Sequence, residues 1–381
     1  MQNLTIKFLG ILAFTFCSLA WTQDSGPMVD SDKLVEPTKD QQRWGALPAA
    51  ALKTETGLQL GGLLIYYLPK QNSTDNGSSI TSAALYSAKH QARIVSSPTI
   101  YFDNNKQNYQ GSIDFKLWPS RFYGIGSEPE FLDIPDQEEE GILYKSTNIS
   151  IDNNYSRSPD GKFWYGVGHK YKYEALTWDE QEQILDSTNT TKKTGFLGGV
   201  ESGFGVVFSY DTRDNINSAR KGYFAQISNY TYKPAFGSDF EYTHSQLDLR
   251  YFLNLPGKRV IAVRALQAIQ NGDIPIQNLA STDGIHELRG VSEGYYHDKQ
   301  LSAYQIEYRG TPMPWKFGYR VFADAGQVRS DFNEWDSKAF KVTYGFGIRW
   351  ALNPERRYNV RIDLPIVDGA LSPVIQIKEA F

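Results

Sequence analysis

Hydrophobic and polar residues alternate along most of this chain, which is the pattern of a β-strand whose two faces meet different surroundings. The alternation is almost unbroken near the C-terminus, where residues 342–352 carry hydrophobic side chains at even positions. These side chains are Val342, Tyr344, Phe346, Ile348, Trp350 and Leu352. The other face of the same segment includes Lys341, Thr343 and Arg349. The pattern therefore predicts strands with one hydrophobic face and one polar or charged face.

The same alternation predicts sixteen strands between residue 45 and the C-terminus, separated by turn-rich connections. They lie near residues 47–53, 58–68, 80–88, 93–102, 109–117, 143–155, 162–174, 203–211, 223–232, 242–253, 259–268, 301–309, 317–326, 341–352, 358–366 and 374–381. Roughly fourteen to eighteen strands fit the pattern, because strand boundaries taken from one sequence are uncertain by several residues. An even number of strands of about 10 residues is typical of outer-membrane barrels.

Two kinds of protein have such strands. A soluble sandwich also has polar outer faces, but these seldom carry so many arginines and aspartates over so many strands. Charged faces fit a water-filled lumen, and faces of aromatic and aliphatic residues fit lipid. The chain contains 24 Tyr, 21 Phe and 8 Trp, and beyond the N-terminus it has no apolar run long enough for a transmembrane helix. We therefore predict an all-β fold, a transmembrane antiparallel β-barrel of about 16 strands.

The N-terminus predicts export from the cytoplasm. Residues 1–22 have the features of a secretory signal peptide: Lys7, a short apolar core at 8–16 and small residues before a cleavage site. Cys17, the single cysteine, lies inside this segment, so we expect no disulfide in the mature chain. Lipid attachment at Cys17 is a weaker alternative. We interpret residues 23–44 as a short periplasmic tether and residues 45–381 as the outer-membrane barrel.

Charge and histidine content argue against several functions. The net charge of −4, from 39 basic and 43 acidic residues, provides no basic field for nucleic acid. The five histidines form no pattern typical of a zinc site. The pair His297 and Asp298 leaves a loop-based hydrolase as a weak alternative. The acidic run 133–140 favours a solvated loop over a calcium site. We predict no catalytic residue, cofactor or metal.

One long connection, residues 270–300, contains a segment rich in glycine and charge that fits neither a strand nor a helix. In the two strands that follow it, Glu307 and Asp324 fall on the charged faces, which places both in the lumen. Arg289, on a loop long enough to fold into the barrel, would then meet both carboxylates and fix the loop as a plug. The alternative is a solvated Arg289, with the carboxylates paired to Arg309 and Arg320.

Three motifs lie in this part of the chain. Leu288-Arg289-Gly290-Val291 is followed by Gly294-Tyr295-Tyr296-His297-Asp298-Lys299, then by Glu307-Tyr308-Arg309 and by Phe322-Ala323-Asp324-Ala325-Gly326. Together they resemble the inward-folded sixth loop and two facing wall motifs of the BamA/TamA-like outer-membrane barrels, the bacterial surface antigen family. Segments near residues 48–57, 122–126 and 210–222 are also similar to that family. The resemblance spans about residues 45–381.

The resemblance implies roles for particular residues. Leu288, Arg289 and Gly290 would form the plug-loop motif, Glu307 and Asp324 its lumen partners, and Phe322 and Gly326 part of the barrel wall. Ile375, Ile377 and Phe381 would form the C-terminal signal that is presented to the barrel assembly machinery. The resemblance also implies a location among lipids in the outer membrane of a Gram-negative bacterium, with a role related to outer-membrane protein assembly or protein transport.

Two departures from the family pattern affect these expectations. Val291 stands where the family usually has an aromatic residue, so the loop tip is expected to pack less firmly. Residues 23–44 leave no room for the periplasmic polypeptide-transport-associated domains of assembly and transport members. Two hypotheses follow: a component that acts with a separate periplasmic partner, or a stand-alone channel or structural surface barrel.

Overall fold

Antiparallel strands form almost all of the described part of the chain. The structure, a computed structural model, describes residues 44–53, 57–69, 78–127, 141–178, 194–215, 218–282, 286–292, 294–310, 316–353, 357–377 and 379–381. The predicted signal peptide, nearly all of the predicted tether and the acidic run 133–140 lie outside the described residues. Over the described ranges, the structure contains no helix with the length and apolar character needed to span a membrane.

Nineteen strands and three short 3-10 helices lie in the described ranges. The strands are β1 (Trp44–Lys53), β2 (Gly57–Tyr67), β3 (Ser79–Ser87), β4 (Ala92–Phe102), β5 (Gln107–Phe122), β6 (Ile142–Arg157), β7 (Phe163–Trp178), β8 (Gly198–Asp211), β9 (Gly222–Tyr232), β10 (Tyr242–Leu255), β11 (Arg259–Gly272), β12 (Ala280–Ser281), β13 (His297–Asp298), β14 (Gln300–Arg309), β15 (Phe317–Arg329), β16 (Lys341–Asn353), β17 (Tyr358–Val367), β18 (Ala370–Leu371) and β19 (Val374–Ile377). The 3-10 helices are Pro234–Phe236, Ile276–Asn278 and Phe332–Glu334.

The sheet follows chain order. Each strand from β1 to β10 pairs antiparallel with the next one, and β11, β14, β15, β16, β17 and β19 continue the same sheet in that order. These are sixteen strands, and the two-residue β18 also pairs with β17. Cα atoms of β1 and β19 approach within 8 Å, which brings the last strand beside the first. The predicted fold class, an antiparallel all-β barrel of about sixteen strands, is confirmed.

Two details differ from the prediction. β5, β6 and β7 each extend over 16 residues, so the connection predicted to begin at residue 118 begins after Phe122. Inside the connection between β11 and β14, the two-residue strands β12 and β13 pair as a small separate ladder, in a region that was predicted to be irregular. Strand lengths are set by neighbouring strands as well as by sequence, because an extended partner supplies hydrogen bonds to residues with weak strand preference.

The two faces of the sheet differ as the alternation predicts. On β15, Phe317, Tyr319 and Val321 are exposed on the outer surface, whereas Arg320 and Asp324 are buried inside. The same division holds on β16, where Tyr344, Phe346, Ile348 and Trp350 are exposed and Thr343 is buried. Charges inside and hydrophobic side chains outside are the reverse of a soluble protein. This arrangement is stable when the outer surface faces hydrocarbon.

Candidate functional site

Residues 286–292 of the connection between β11 and β14 form a tucked segment that lies inside the barrel. Leu288 and Arg289 are completely buried. Gly290 has φ +90, and a Cβ at this position would lie 2.7 Å from Pro365 Cγ on β17. Its carbonyl oxygen accepts a hydrogen bond from Ser372 Oγ at 2.8 Å. Glycine is needed here both for the left-handed backbone conformation and for this close approach to the wall.

The Arg289 guanidinium connects the tucked segment to two wall strands. Nε and Nη2 donate to the two Asp324 carboxylate oxygens, each at 2.6 Å, and Nη1 donates to Glu307 Oε2 at 2.9 Å. The guanidinium carbon lies 3.6 Å from the centre of the Phe322 ring. A forked ion pair combined with a stacked aromatic ring fixes both the position and the plane of the group. The structure thus places Arg289 against β14 and β15.

Glu307 is shared among three arginines. Besides Arg289, it accepts hydrogen bonds from Arg309 Nε at 2.8 Å and from Arg320 Nη1 at 2.9 Å. The two pairings that the sequence offered as alternatives for Glu307 therefore coexist. Arg289 itself is not solvated, because the tucked segment carries it below the surface.

The wall motif makes room for this segment. Phe322 lies under the Arg289 guanidinium, and Gly326 lies under Thr282 and Leu288. A Cβ on Gly326 would sit 3.5 Å from Thr282 Cγ2, which is ordinary contact, so the absence of a side chain leaves space without a strained approach. The residues singled out in the sequence for the loop and the two wall strands are thus in mutual contact.

The charge network extends beyond the residues that sequence reasoning selected. Arg320 forms a forked ion pair with Asp363 on β17, with both nitrogen–oxygen distances 2.6 Å, and Arg361 also contacts Asp363. The alternation in residues 358–366 places Arg361 and Asp363 on the charged face, so it contained a signal for both. Buried charges of this kind require partners, since removal from water costs several kcal/mol per ion. Asp363 meets that requirement for two arginines.

Residues 379–381 leave the wall and turn into the lumen. The Glu379 carboxylate accepts hydrogen bonds from Arg320, Arg349 and Asn359 at 3.0, 2.9 and 2.8 Å. Phe381 is buried, with its ring centre 6.3 Å from that of Phe252. β19 ends at Ile377, so Phe381 is not part of the final strand, which was predicted to extend over residues 374–381. The side chains of Ile375 and Ile377 lie outside the described parts.

The parts of the connection before and after residues 286–292 are also anchored, by apolar packing and by hydrogen bonds. Ile276 packs in a buried cluster with Phe122, Ile142, Leu176, Trp178 and Phe196. Asn278 Oδ1 accepts a hydrogen bond from Lys172 Nζ at 2.9 Å, and its backbone oxygen accepts one from Gln270 Nε2 at 2.7 Å. The Gly126 backbone nitrogen donates to the His297 carbonyl oxygen at 2.9 Å. The connection is therefore attached to the wall on both sides of the tucked segment.

The geometry around His297 and Asp298 does not support a hydrolytic dyad. They are consecutive residues of β13, so their side chains point to opposite faces. The His297 ring nitrogen Nδ1 lies 2.8 Å from the Gly294 carbonyl oxygen, and Asp298 Oδ1 accepts a hydrogen bond from the Lys299 backbone. Across the described ranges, no group of three or more histidine, cysteine, aspartate or glutamate residues is arranged to hold a metal ion.

Comparison with known proteins gives one family and several similar folds. The profile of the Omp85 superfamily domain matches residues 72–356. Among curated proteins, none matches the sequence. BamA from Haemophilus ducreyi, solved without its POTRA domains 1–3, is similar with a TM-score of 0.58 and 17% identity over 89% of this chain and 69% of that one.

Two structures of CdiB are also similar. The protein from Acinetobacter baumannii gives a TM-score of 0.56 and 12% identity, and that from Escherichia coli gives 0.55 and 12%. The matches cover 89% and 88% of this chain. The chain spans only 60% and 61% of the two CdiB chains. At these identities the likeness concerns the fold alone.

Proposed function

Because the chain belongs to the Omp85 superfamily and folds as its outer-membrane β-barrel, we propose that it is the membrane-embedded component of a system for outer-membrane protein assembly or protein translocation. It acts with a separate partner and catalyses no chemical reaction. It resides in the outer membrane of a Gram-negative bacterium, after cleavage of a signal peptide at about residue 22. In this proposal the partner supplies the periplasmic module of the system.

The observation that carries this proposal is the segment held in the lumen by Arg289. A simple diffusion channel needs an open lumen, whereas here one loop segment is fixed to two wall strands by a forked ion pair, a second ion pair and a stacked ring. Holding a loop inside the barrel favours a protein whose lumen and wall act on another polypeptide. The barrel assembly machinery, which inserts outer-membrane barrels, is a further partner during biogenesis.

Co-purification tests the proposal directly. Cells are treated with a reversible crosslinker, the tagged barrel is purified from native outer membranes, and bound proteins are identified by mass spectrometry. We expect a partner with periplasmic domains, in an amount comparable to the barrel. Depletion of the barrel should also lower the level of a subset of outer-membrane or secreted proteins. A barrel that purifies alone, with unchanged protein levels after depletion, contradicts the proposal.

A stand-alone channel is the second candidate, and one feature favours it. On the wall formed by β4 to β7, lumen-facing charges such as Lys116 and Lys170 remain partly exposed instead of buried. Water-accessible charges there are typical of a permeation path. If the barrel is a channel plugged by the loop, replacing Arg289 with Ala should raise single-channel conductance in planar bilayers. Equal conductance of the two forms would argue against a channel gated by this loop.

A further inference from the structure

A polar cluster lies on the outer wall, at the end where β15 joins the connection 330–340. Arg329 and Gln327 have the same strand phase as Val321, whose side chain faces outward. Their antiparallel partners on β14 are Gln300 and Ser302. Further along the same outward face of β14, Tyr304 and Ile306 are exposed and hydrophobic. The cluster thus borders the hydrophobic outer band of the barrel.

Arg329 is buried in this cluster, with 3% of its surface exposed, but only part of its guanidinium is bonded. Nη1 donates to Ser302 Oγ at 2.8 Å, and the guanidinium carbon lies 5.3 Å from the Phe332 ring centre. Nε and Nη2 find no acceptor within the described part of the chain. The Oε1 atoms of Gln300 and Gln327 find no donor there either. Burial without partners is costly for a guanidinium, so these atoms point to a ligand.

The free edge of Arg329 is the one that other arginines in this protein use for anions. The Nε and Nη2 atoms of six arginines bond to a carboxylate: Arg93 to Asp114, Arg213 to Asp211, Arg250 and Arg264 to Asp248, Arg289 to Asp324, and Arg320 to Asp363. This edge presents two parallel N–H groups that fit two oxygens of one anion. By this comparison, the ligand of Arg329 carries two acceptor oxygens on one atom.

We propose that Arg329 binds the phosphate group of a lipid headgroup in the membrane leaflet beside the long loops. Outward-facing residues at the border of the hydrophobic band meet headgroups, and phosphate supplies the paired oxygens. Hydroxyl or amine groups of the same headgroup would donate to Gln300 and Gln327. The proposal rests on the outer-membrane placement of the barrel, but not on any role in assembly or transport.

The connection above the cluster permits such a ligand to enter. Phe332, which covers the guanidinium, is 62% exposed, so its ring can turn aside with little loss of buried contact. The carboxylates of this connection are engaged within it: Asp331 accepts from the Asn333 backbone, Glu334 from Ser330, and Asp336 from the Lys338 backbone. Lys299 and Lys338, both exposed, add positive charge at the same end.

Native mass spectrometry tests the site with the full-length protein in detergent. Diphosphoryl lipid A, dephosphorylated lipid A and inorganic phosphate are each added to the wild type and to three variants. We expect Arg329→Gln to bind diphosphoryl lipid A roughly tenfold or more weakly, since a charged fork is lost, and Arg329→Lys to be intermediate. Lys338→Gln, which removes an exposed charge from the same end, should bind like the wild type.

Three results would overturn the proposal. They are equal binding by Arg329→Gln and the wild type, equal binding of the two forms of lipid A, and displacement of the lipid by an equal concentration of inorganic phosphate, which would indicate a free-ion site. Circular dichroism checks that each variant is folded. If Arg329→Gln does not fold, the comparison of the two lipid A forms on wild-type protein and on Arg329→Lys still decides the question. If the barrel binds lipid but purifies without a periplasmic partner, the lipid site is supported and the proposed function is refuted.

Discussion

At the scale of single residues, Arg289 bonds the tucked segment to two wall strands. Its guanidinium satisfies Asp324 completely and one oxygen of Glu307, all three groups being fully or almost fully buried. A buried ion pair is not in itself evidence of high stability, because desolvation offsets the attraction. Removing one partner is different, since it leaves the others charged, buried and unpaired.

Arg289→Ala is therefore expected to lower the free energy of unfolding by about 3–5 kcal/mol, because Asp324 loses its forked partner. The measurement is urea unfolding of the barrel in lipid vesicles, followed by tryptophan fluorescence. Arg259→Ala is the matched control, because Arg259 is exposed and its side chain donates to the Pro256 carbonyl oxygen and to no carboxylate of the described residues. We expect the control to change stability by less than about 0.5 kcal/mol. Similar values for the two variants would mean that Arg289 is not held as described.

Gly290→Ala separates backbone strain from steric contact. Gly290 has φ +90 and a site for Cβ only 2.7 Å from Pro365 Cγ, whereas Gly161 has φ +75 with nothing within 4 Å. Gly161→Ala should cost only the left-handed conformation, about 1–2 kcal/mol. Gly290→Ala should cost more and also shift the tucked segment, visible as faster amide hydrogen exchange at residues 286–292. Equal costs and unchanged exchange would contradict the close packing against β17.

At the scale of elements, the end of the chain behaves differently from a final barrel strand. β19 provides four residues to the sheet, and residues 379–381 then cross into the lumen beneath the tucked segment. His286 Nδ1 lies 3.2 Å from the Ala380 carbonyl oxygen, which joins the two elements. The charge of Glu379 offsets the excess of arginine in this region. The tail is therefore part of the lumen network, not an extension of the wall.

Glu379→Gln should lower the free energy of unfolding by about 1–3 kcal/mol, since two charge-assisted hydrogen bonds from Arg320 and Arg349 are weakened. Glu241→Gln is the control, because Glu241 is exposed and lies 3.9 Å from the exposed Lys233. Hydrogen exchange should also increase at residues 286–292 in Glu379→Gln, through the contact between His286 and Ala380. No difference between the two variants would show that the tail is not ion-paired in the lumen.

At the scale of the whole molecule, the exposed hydrophobic surface determines where the protein is stable. A charged residue on that surface should be costly only where it meets hydrocarbon. Val321 is 53% exposed in the middle of β15, and Leu371 is 61% exposed on the two-residue strand β18, which follows β17 and pairs with its last residues. The two positions differ in their place along the barrel axis and hardly at all in exposure.

Val321→Arg should therefore cost about 2–4 kcal/mol in lipid vesicles, and Leu371→Arg close to nothing. Stability is measured by reversible urea unfolding in vesicles of defined composition. In a soluble sheet both substitutions would be tolerated equally, because both side chains would face water. Equal, small effects in vesicles would thus refute the transmembrane placement of β15.

The sequence by itself determined which side chains face inward and which outward. A strand has a period of two, so the positions of Glu307, Asp324, Arg361 and Asp363 on one face follow from alternation alone. The number of strands and the antiparallel order also followed, because short connections join neighbouring antiparallel strands. The motif containing Arg289 indicated the inward loop only through resemblance to a family.

The tertiary structure decided which of these residues meet. Glu307 has three arginine partners because of the strand register and the path of the loop that carries Arg289. Glu379 contacts Arg320 and Arg349 because the C-terminal residues turn into the lumen. Arg329 lies beyond the strand predicted to end at residue 326, so the sequence showed neither its place on the outer face of β15 nor the lack of an acceptor for Nε and Nη2 among the described residues. Alternation is local and fixes a face, whereas a partner is a contact between distant segments and exists only after the barrel and its loop have folded.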